Sequence, residues 1–76
     1  MSLRRYTYYK LDGFEVWGKE YRNAAGVVTW DLRVFSDQDR RIETYESVRQ
    51  DDIPATGRIG EAQAMREAID AWSRQG

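Results

Sequence analysis

Residues 27–35, VVTWDLRVF, alternate: Val28, Trp30, Leu32 and Val34 fall on one side of an extended strand, and Thr29, Asp31 and Arg33 on the other. A period of two is the signature of a half-buried β-strand. Phe35 then lands on the polar side, which raises the question of whether the second face also buries something. Strand-like pieces fill the first fifty residues, separated by Asp12-Gly13, by 23–26 and by 37–39.

Asp-Gly favours a two-residue type I′ hairpin, whose central residues both take positive φ. Closing the chain there pairs Leu11 with Phe14, Lys10 with Glu15, Tyr9 with Val16 and Tyr8 with Trp17. An opposite-charge pair and an aromatic pair then sit directly across from each other, as stable ladders prefer. A four-residue loop at 23–26 pairs Tyr21 with Val28 and Trp17 with Leu32. A three-residue loop at 37–39 pairs Val34 with Ile42, Leu32 with Thr44 and Val28 with Val48, and sets Arg33 opposite Glu43. These loop lengths keep side-chain parity consistent from strand to strand. The expectation is a meander of four antiparallel strands, or of three if Asp12-Gly13 is a bulge inside one long first strand.

Beyond a connector at 50–57, where Pro54 turns the chain away from helix, the apolar spacing changes to three and four. Ala62, Met65, Ile69 and Trp72, joined by Ala68, predict a helix over about 58–74. Thr56 and Gly60 are the candidate N-caps, and Arg66–Asp70 and Asp70–Arg74 are i,i+4 pairs on its outer side. The predicted fold is one α+β domain over residues 1–76, with a sheet at about 4–49 and one C-terminal helix packed on one face. The covered face is expected to hold Tyr6, Tyr8, Trp17, Tyr21, Val28, Trp30, Leu32, Val34, Ile42, Thr44 and Val48.

Composition narrows the chemistry. Seventy-six residues without Cys hold no disulfide or thiolate site, so ten aromatic residues must supply the core. The net charge of −1 gives no global pull toward nucleic acid or an anionic membrane. No apolar run approaches the roughly 18 residues of a membrane span and no stretch reads as a signal peptide, so a cytoplasmic location is expected. The absence of His as well as Cys removes the commonest general acid/base, the commonest metal ligand and the familiar nucleophile arrangements. Gly57-Arg-Ile-Gly60 lacks the Lys-Ser/Thr ending of a phosphate loop and reads as an ordinary helix start, with an anion seat as the alternative. Asp51-Asp52 lack the ligand spacing of a calcium loop and read as a solvated pair. The expectation is a chain with no catalytic, cofactor-binding or metal-binding residues.

The same register places Tyr9, Leu11, Phe14, Val16, Phe35 and Tyr45 on the uncovered face, among Thr29, Asp31, Arg33, Arg41 and Glu43. That is more apolar surface than one wet sheet face normally carries. Either the chain covers part of it, or the face is an interaction site, for which Tyr mixed with Arg is the typical composition. The candidate partner-binding residues are Tyr9, Phe14, Arg33, Phe35, Arg41 and Tyr45. One binding class is a protein partner, including a second copy of the chain in a homodimer. The other is single-stranded nucleic acid stacked on the aromatics, with Arg4, Arg5, Arg40 and Arg41 on its phosphates. The negative net charge, Asp31 and Glu43 within the face, and the missing glycine-aromatic signature of RNA-recognition sheets favour protein.

VTWDLRVF as strand and GRIGEAQAMREAIDAW as helix together resemble the layout of small phage-encoded proteins, a short antiparallel meander followed by one helix, among them several anti-CRISPR inhibitors. The likeness is one of format over the whole chain and carries over no functional residue. It implies an inhibitor that occupies a surface of a large nucleoprotein target, without cofactor or catalysis. The helix is also similar to the EA-rich helical ending of small antitoxin domains. That likeness is the weaker, because the chain has no separate DNA-binding segment.

Overall fold

A computed structural model describes residues 2–55 and 59–75. Four strands, β1 (Ser2–Leu11), β2 (Phe14–Arg22), β3 (Val28–Ser36) and β4 (Ile42–Arg49), form one antiparallel sheet in the order β1-β2-β3-β4. A 3-10 turn, Gln50–Ala55, leads toward α1 (Ile59–Gln75), which packs across one face. The α+β meander with one C-terminal helix is therefore the fold, in its four-stranded form. Gly60 lies inside α1 rather than at its cap. The other candidate cap, Thr56, and the Gly57-Arg58 half of the anion-seat motif lie outside the described residues.

The β1–β2 hairpin has the expected register, from Leu11 opposite Phe14 to Tyr8 opposite Trp17. Its turn is not type I′. Gly13 takes positive φ (84°) but Asp12 does not, whereas a type I′ turn needs both.

The two other connections are each one residue longer than the sequence pattern suggests. Asn23 Oδ1 accepts the N–H groups of Ala25 (2.9 Å) and Val27 (3.0 Å), and Asn23 N–H donates to Val27 O at 3.1 Å. This side-chain scaffold makes the loop 23–27, so that Arg22 faces Val28. At the next turn Ser36 N–H donates to Arg41 O at 2.9 Å, with Arg40 in the left-handed region. Phe35 consequently faces Ile42, and Val34 faces Glu43. A slip of one residue exchanges the two faces of every strand beyond it. The covered side of β1 and β2 is accordingly Thr7, Tyr9, Leu11, Phe14, Val16 and Gly18, while Tyr6, Tyr8, Trp17 and Tyr21 face the other way.

In β4 the slip turns Glu43 and Tyr45 to the covered side and Ile42 and Thr44 to the open one. A bulge between the Leu32–Tyr45 and Trp30–Val48 pairs then restores Val48 to the covered side, as the sequence pattern expects. Ser47 takes φ 55° in that bulge, and its N–H donates to Asp31 Oδ1 at 2.9 Å. The strained residue is thus held by a charge-assisted bond.

The core consists of Val16, Trp30, Leu32 and Val34 from the sheet, Ile53 from the 3-10 turn, and Ala62, Ala64, Met65, Ala68, Ile69 and Trp72 from α1. Ile53 is fully buried, so the connector is not merely a solvated link. Trp72 stacks on Trp30, with ring centroids 5.4 Å apart, and packs closely over Gly18. A Cβ on Gly18 would come within 2.8 Å of the Trp72 ring. The Trp72 indole N–H donates to Tyr8 O at 3.0 Å, which fixes the helix's last turns to β1. On the outer side of α1, Arg66 pairs with Asp70 at 3.4 Å, as the i,i+4 spacing expects, and also donates to Gln50 O at 3.1 Å.

Candidate functional site

Two polar assemblies rim the covered face. At one end Glu20, 8% exposed, lies between Arg4 and Arg5, each at 3.5 Å. Arg5 also donates to Trp72 O at 3.4 Å and lies 5.9 Å from the Trp30 ring centre. At the other end Glu61, 2% exposed in the first turn of α1, is bound by the Arg41 guanidinium and by Tyr45 Oη at 2.8 Å. Arg41 Nε also sits 2.8 Å from Glu43 Oε1. Buried carboxylates with such partners are structural when their lone pairs are satisfied. These two clusters anchor the helix to the sheet's margins.

The other face is uncovered, and its register gives a grid. Across the strands from β1 to β4, one row reads Lys10, Glu15, Phe35, Ile42 and the next Tyr8, Trp17, Arg33, Thr44. The third reads Tyr6, Lys19, Asp31, with Glu46 of the bulge beyond. Neighbouring strands lie about 4.8 Å apart, so side chains in a row are direct neighbours. The Tyr8 and Trp17 rings are 4.5 Å apart and tilted by 50°, and Lys19 Nζ stands 5.5 Å over the Tyr6 ring. Tyr6 is 68% exposed, Trp17 54% and Tyr8 42%. Tyr6, Tyr8, Trp17, Lys19, Asp31, Arg33, Thr44 and Glu46 line an open groove of about 720 Å³.

Two acids of this face, Glu15 and Asp31, have local partners, and Arg33 does not. Tyr8 Oη donates to Glu15 Oε1 at 2.8 Å, and that bond, with the carboxylate's charge behind it, raises the Tyr8 pKa above the ordinary tyrosine value. Asp31 accepts from Ser47 N–H. Arg33, exposed beside Trp17, makes no ion pair among the described residues.

Of the six residues the sequence pattern singles out, Arg33 and Phe35 lie on the open face. Tyr9, Phe14 and Tyr45 do not: they are half-buried against the core under α1. Arg41 is likewise committed to Glu43 and Glu61. The one-residue loop difference accounts for all four displacements. The residues that take their place are Tyr6, Tyr8, Trp17 and Lys19. A signal for them stands in the sequence: Gly18, isolated inside a strand, marks a face that another element approaches closely, so Trp17 must point away from it.

Asp51 and Asp52 are exposed in the first turn of the 3-10 segment. Among the described residues no three acidic side chains come together as a metal-holding group, and no helix is long and apolar enough to cross a membrane. No protein-family model, curated protein or solved structure matches the chain.

Proposed function

We propose that the protein is a non-enzymatic, cytoplasmic protein-binding module that docks through the open face of its sheet. The observation that carries this reading is the cluster of Tyr6, Tyr8 and Trp17, three large aromatics left 42–68% exposed side by side on the uncovered face. Monomeric soluble domains rarely leave such surface contiguous without a use, and Trp, Tyr and Arg are the residues on which binding energy concentrates. Arg33 next to Trp17, without an ion-pair partner among the described residues, suits the same role. An inhibitor from a phage or mobile element that occupies a surface of its target is the form implied by the resemblance of layout.

The test compares the immobilised wild-type chain with Trp17→Ala and Arg33→Ala variants of unchanged melting temperature. The reading expects a protein retained by wild type and lost with either variant. Equal retention by all three overturns it. Stacking of single-stranded nucleic acid is the second reading, favoured by Lys19 and Arg33 beside the same rings; Asp31 and Glu46 in the groove oppose it. Titration of labelled single strands at low and moderate salt decides, since phosphate-driven binding falls steeply with salt. No binding even at low salt removes this alternative.

A further inference from the structure

We infer that the partner fitting this face is a second copy of the same chain, docked sheet to sheet about a two-fold axis. The inference rests on reading the open face as a protein-binding one and adds the identity of what it binds. Its evidence is the arrangement of four residues at the centre of the grid. Trp17 lies beside Arg33 on the adjacent strand, and Lys19 lies beside Asp31 one row away.

A two-fold interface must be complementary to itself. An axis running along the strands between β2 and β3 lays β3 of the copy over β2. Lys19 then meets Asp31 of the other chain, and Trp17 meets Arg33, each contact occurring twice. An axis across the strands, between the two rows, lays β2 over β2. Arg33 then meets Asp31, and Trp17 meets Lys19, again twice. In both arrangements each Asp31 faces a cation and each Trp17 ring faces a cation. No like charges meet within the block. Lys or Arg over an indole face is a favourable contact once desolvated.

Around the block the first axis sets Tyr6 against Glu46, a hydroxyl against a carboxylate, but also Glu15 against Phe35, a mismatch that weighs against it. The second sets Tyr8 against Tyr6. Two aligned sheets pack about 10 Å apart, a gap that Tyr and Trp side chains fill. The protein spans 38 × 22 × 16 Å, so its broadest side offers at most roughly 800 Å², and a standard interface would have to use nearly the whole open face. A nucleic-acid strand would meet the same block as two cations, one acid and one ring, without such matching.

The experiment is sedimentation of the full chain over a wide concentration range, followed in parallel by Trp17 emission. Trp30 and Trp72 are already buried, so a Trp17→Phe variant supplies their background signal. The expected result is a monomer–dimer equilibrium whose dimer carries a blue-shifted Trp17 signal. Lys19→Glu and Arg33→Glu should each raise the dissociation constant, and the one that sets Glu against Asp31 should do so by about a hundredfold or more. The larger effect identifies the axis. Thermal melting at low concentration, unchanged in both variants, separates lost docking from lost folding.

A chain that stays monomeric at all concentrations overturns the second copy, and so does a dimer in which Trp17 emission is constant and both variants still associate. In either case the retention experiment is read independently: a foreign protein held by wild type and lost with Trp17→Ala keeps the binding-face reading, and its equal retention removes that as well.

Discussion

The two faces of this sheet contain much the same kinds of residue and use them in opposite ways. The covered face carries aromatics, Glu20, Glu43, Arg5 and Arg41, and these charged groups pair with one another or with Glu61 of α1. The open face carries aromatics, Glu15, Asp31, Lys19 and Arg33, and there Arg33 makes no ion pair among the described residues while three rings are exposed. Composition therefore does not separate inside from outside in a chain this small. What separates them is whether another element of the same chain completes the contacts. Trp30 and Trp17 make the point: one lies beneath Trp72 at 0% exposure, and the other is 54% exposed on the opposite side.

The contrast can be broken first at its strongest point. Trp30→Ala removes the largest buried ring and should cost about 3–5 kcal/mol, enough to unfold much of a domain of this size in a denaturant titration. Arg41→Ala leaves the Glu61 carboxylate buried with Tyr45 still in contact. Because the Arg41 side chain is itself about one-third exposed, the loss should be about 2–3 kcal/mol, below the 3–5 of a fully enclosed pair. Gly18→Ala should cost about 1–3 kcal/mol by overpacking. It should also weaken the Trp72 near-ultraviolet signal, since the added Cβ displaces the ring from its packed position over β2.

On the open side the same kind of change should hardly register in stability. Trp17→Ala and Phe35→Ala should each cost less than about 1 kcal/mol, with the Tyr8–Trp17 ring contact the main loss in the first case. If Phe35→Ala melts the domain, the two faces are not distinct in the sense argued above. The smallest effect is electrostatic. The raised Tyr8 pKa means that folding favours the neutral phenol. Its contribution is fully present below the unfolded tyrosine pKa and is lost as pH rises through the folded one. Spectrophotometric titration should show Tyr8 ionising above the ordinary value, and Glu15→Gln should lower it.

The fold was largely legible in the sequence, because its signals are local. Asp12-Gly13 fixed the hairpin register, the alternation at 28–34 fixed the inward side of β3, and the three-four spacing of Ala62, Met65, Ile69 and Trp72 fixed the helix. The face assignment of β1 and β2 was not legible from hydrophobicity. Tyr6 and Tyr8 on one parity balance Tyr9 and Leu11 on the other, so the choice passed to loop length. There Asn23 inserted one residue by bonding its own loop. In β4 the bulge at Ser47 restores parity part-way along, which no period of two anticipates. Ile53 was hidden for another reason: one apolar residue between two acids and a proline has no periodicity to reveal its burial.

The bond from the Trp72 indole to Tyr8 O has a further consequence for behaviour at high concentration. Hydrogen-bonded and non-hydrogen-bonded pairs alternate along an antiparallel ladder. Counting back from the closing Leu11–Phe14 pair, the Tyr8 carbonyl points away from β2, toward the sheet's unshielded margin. Trp72 occupies that acceptor in the middle of β1, where an incoming strand would otherwise begin to pair. At the opposite margin the Ser47 bulge interrupts the ladder of β4. A flat ribbon that grows strand by strand needs at least one regular, vacant margin, and this molecule offers neither. Growth into a fibre by strand addition is thereby disfavoured at both margins.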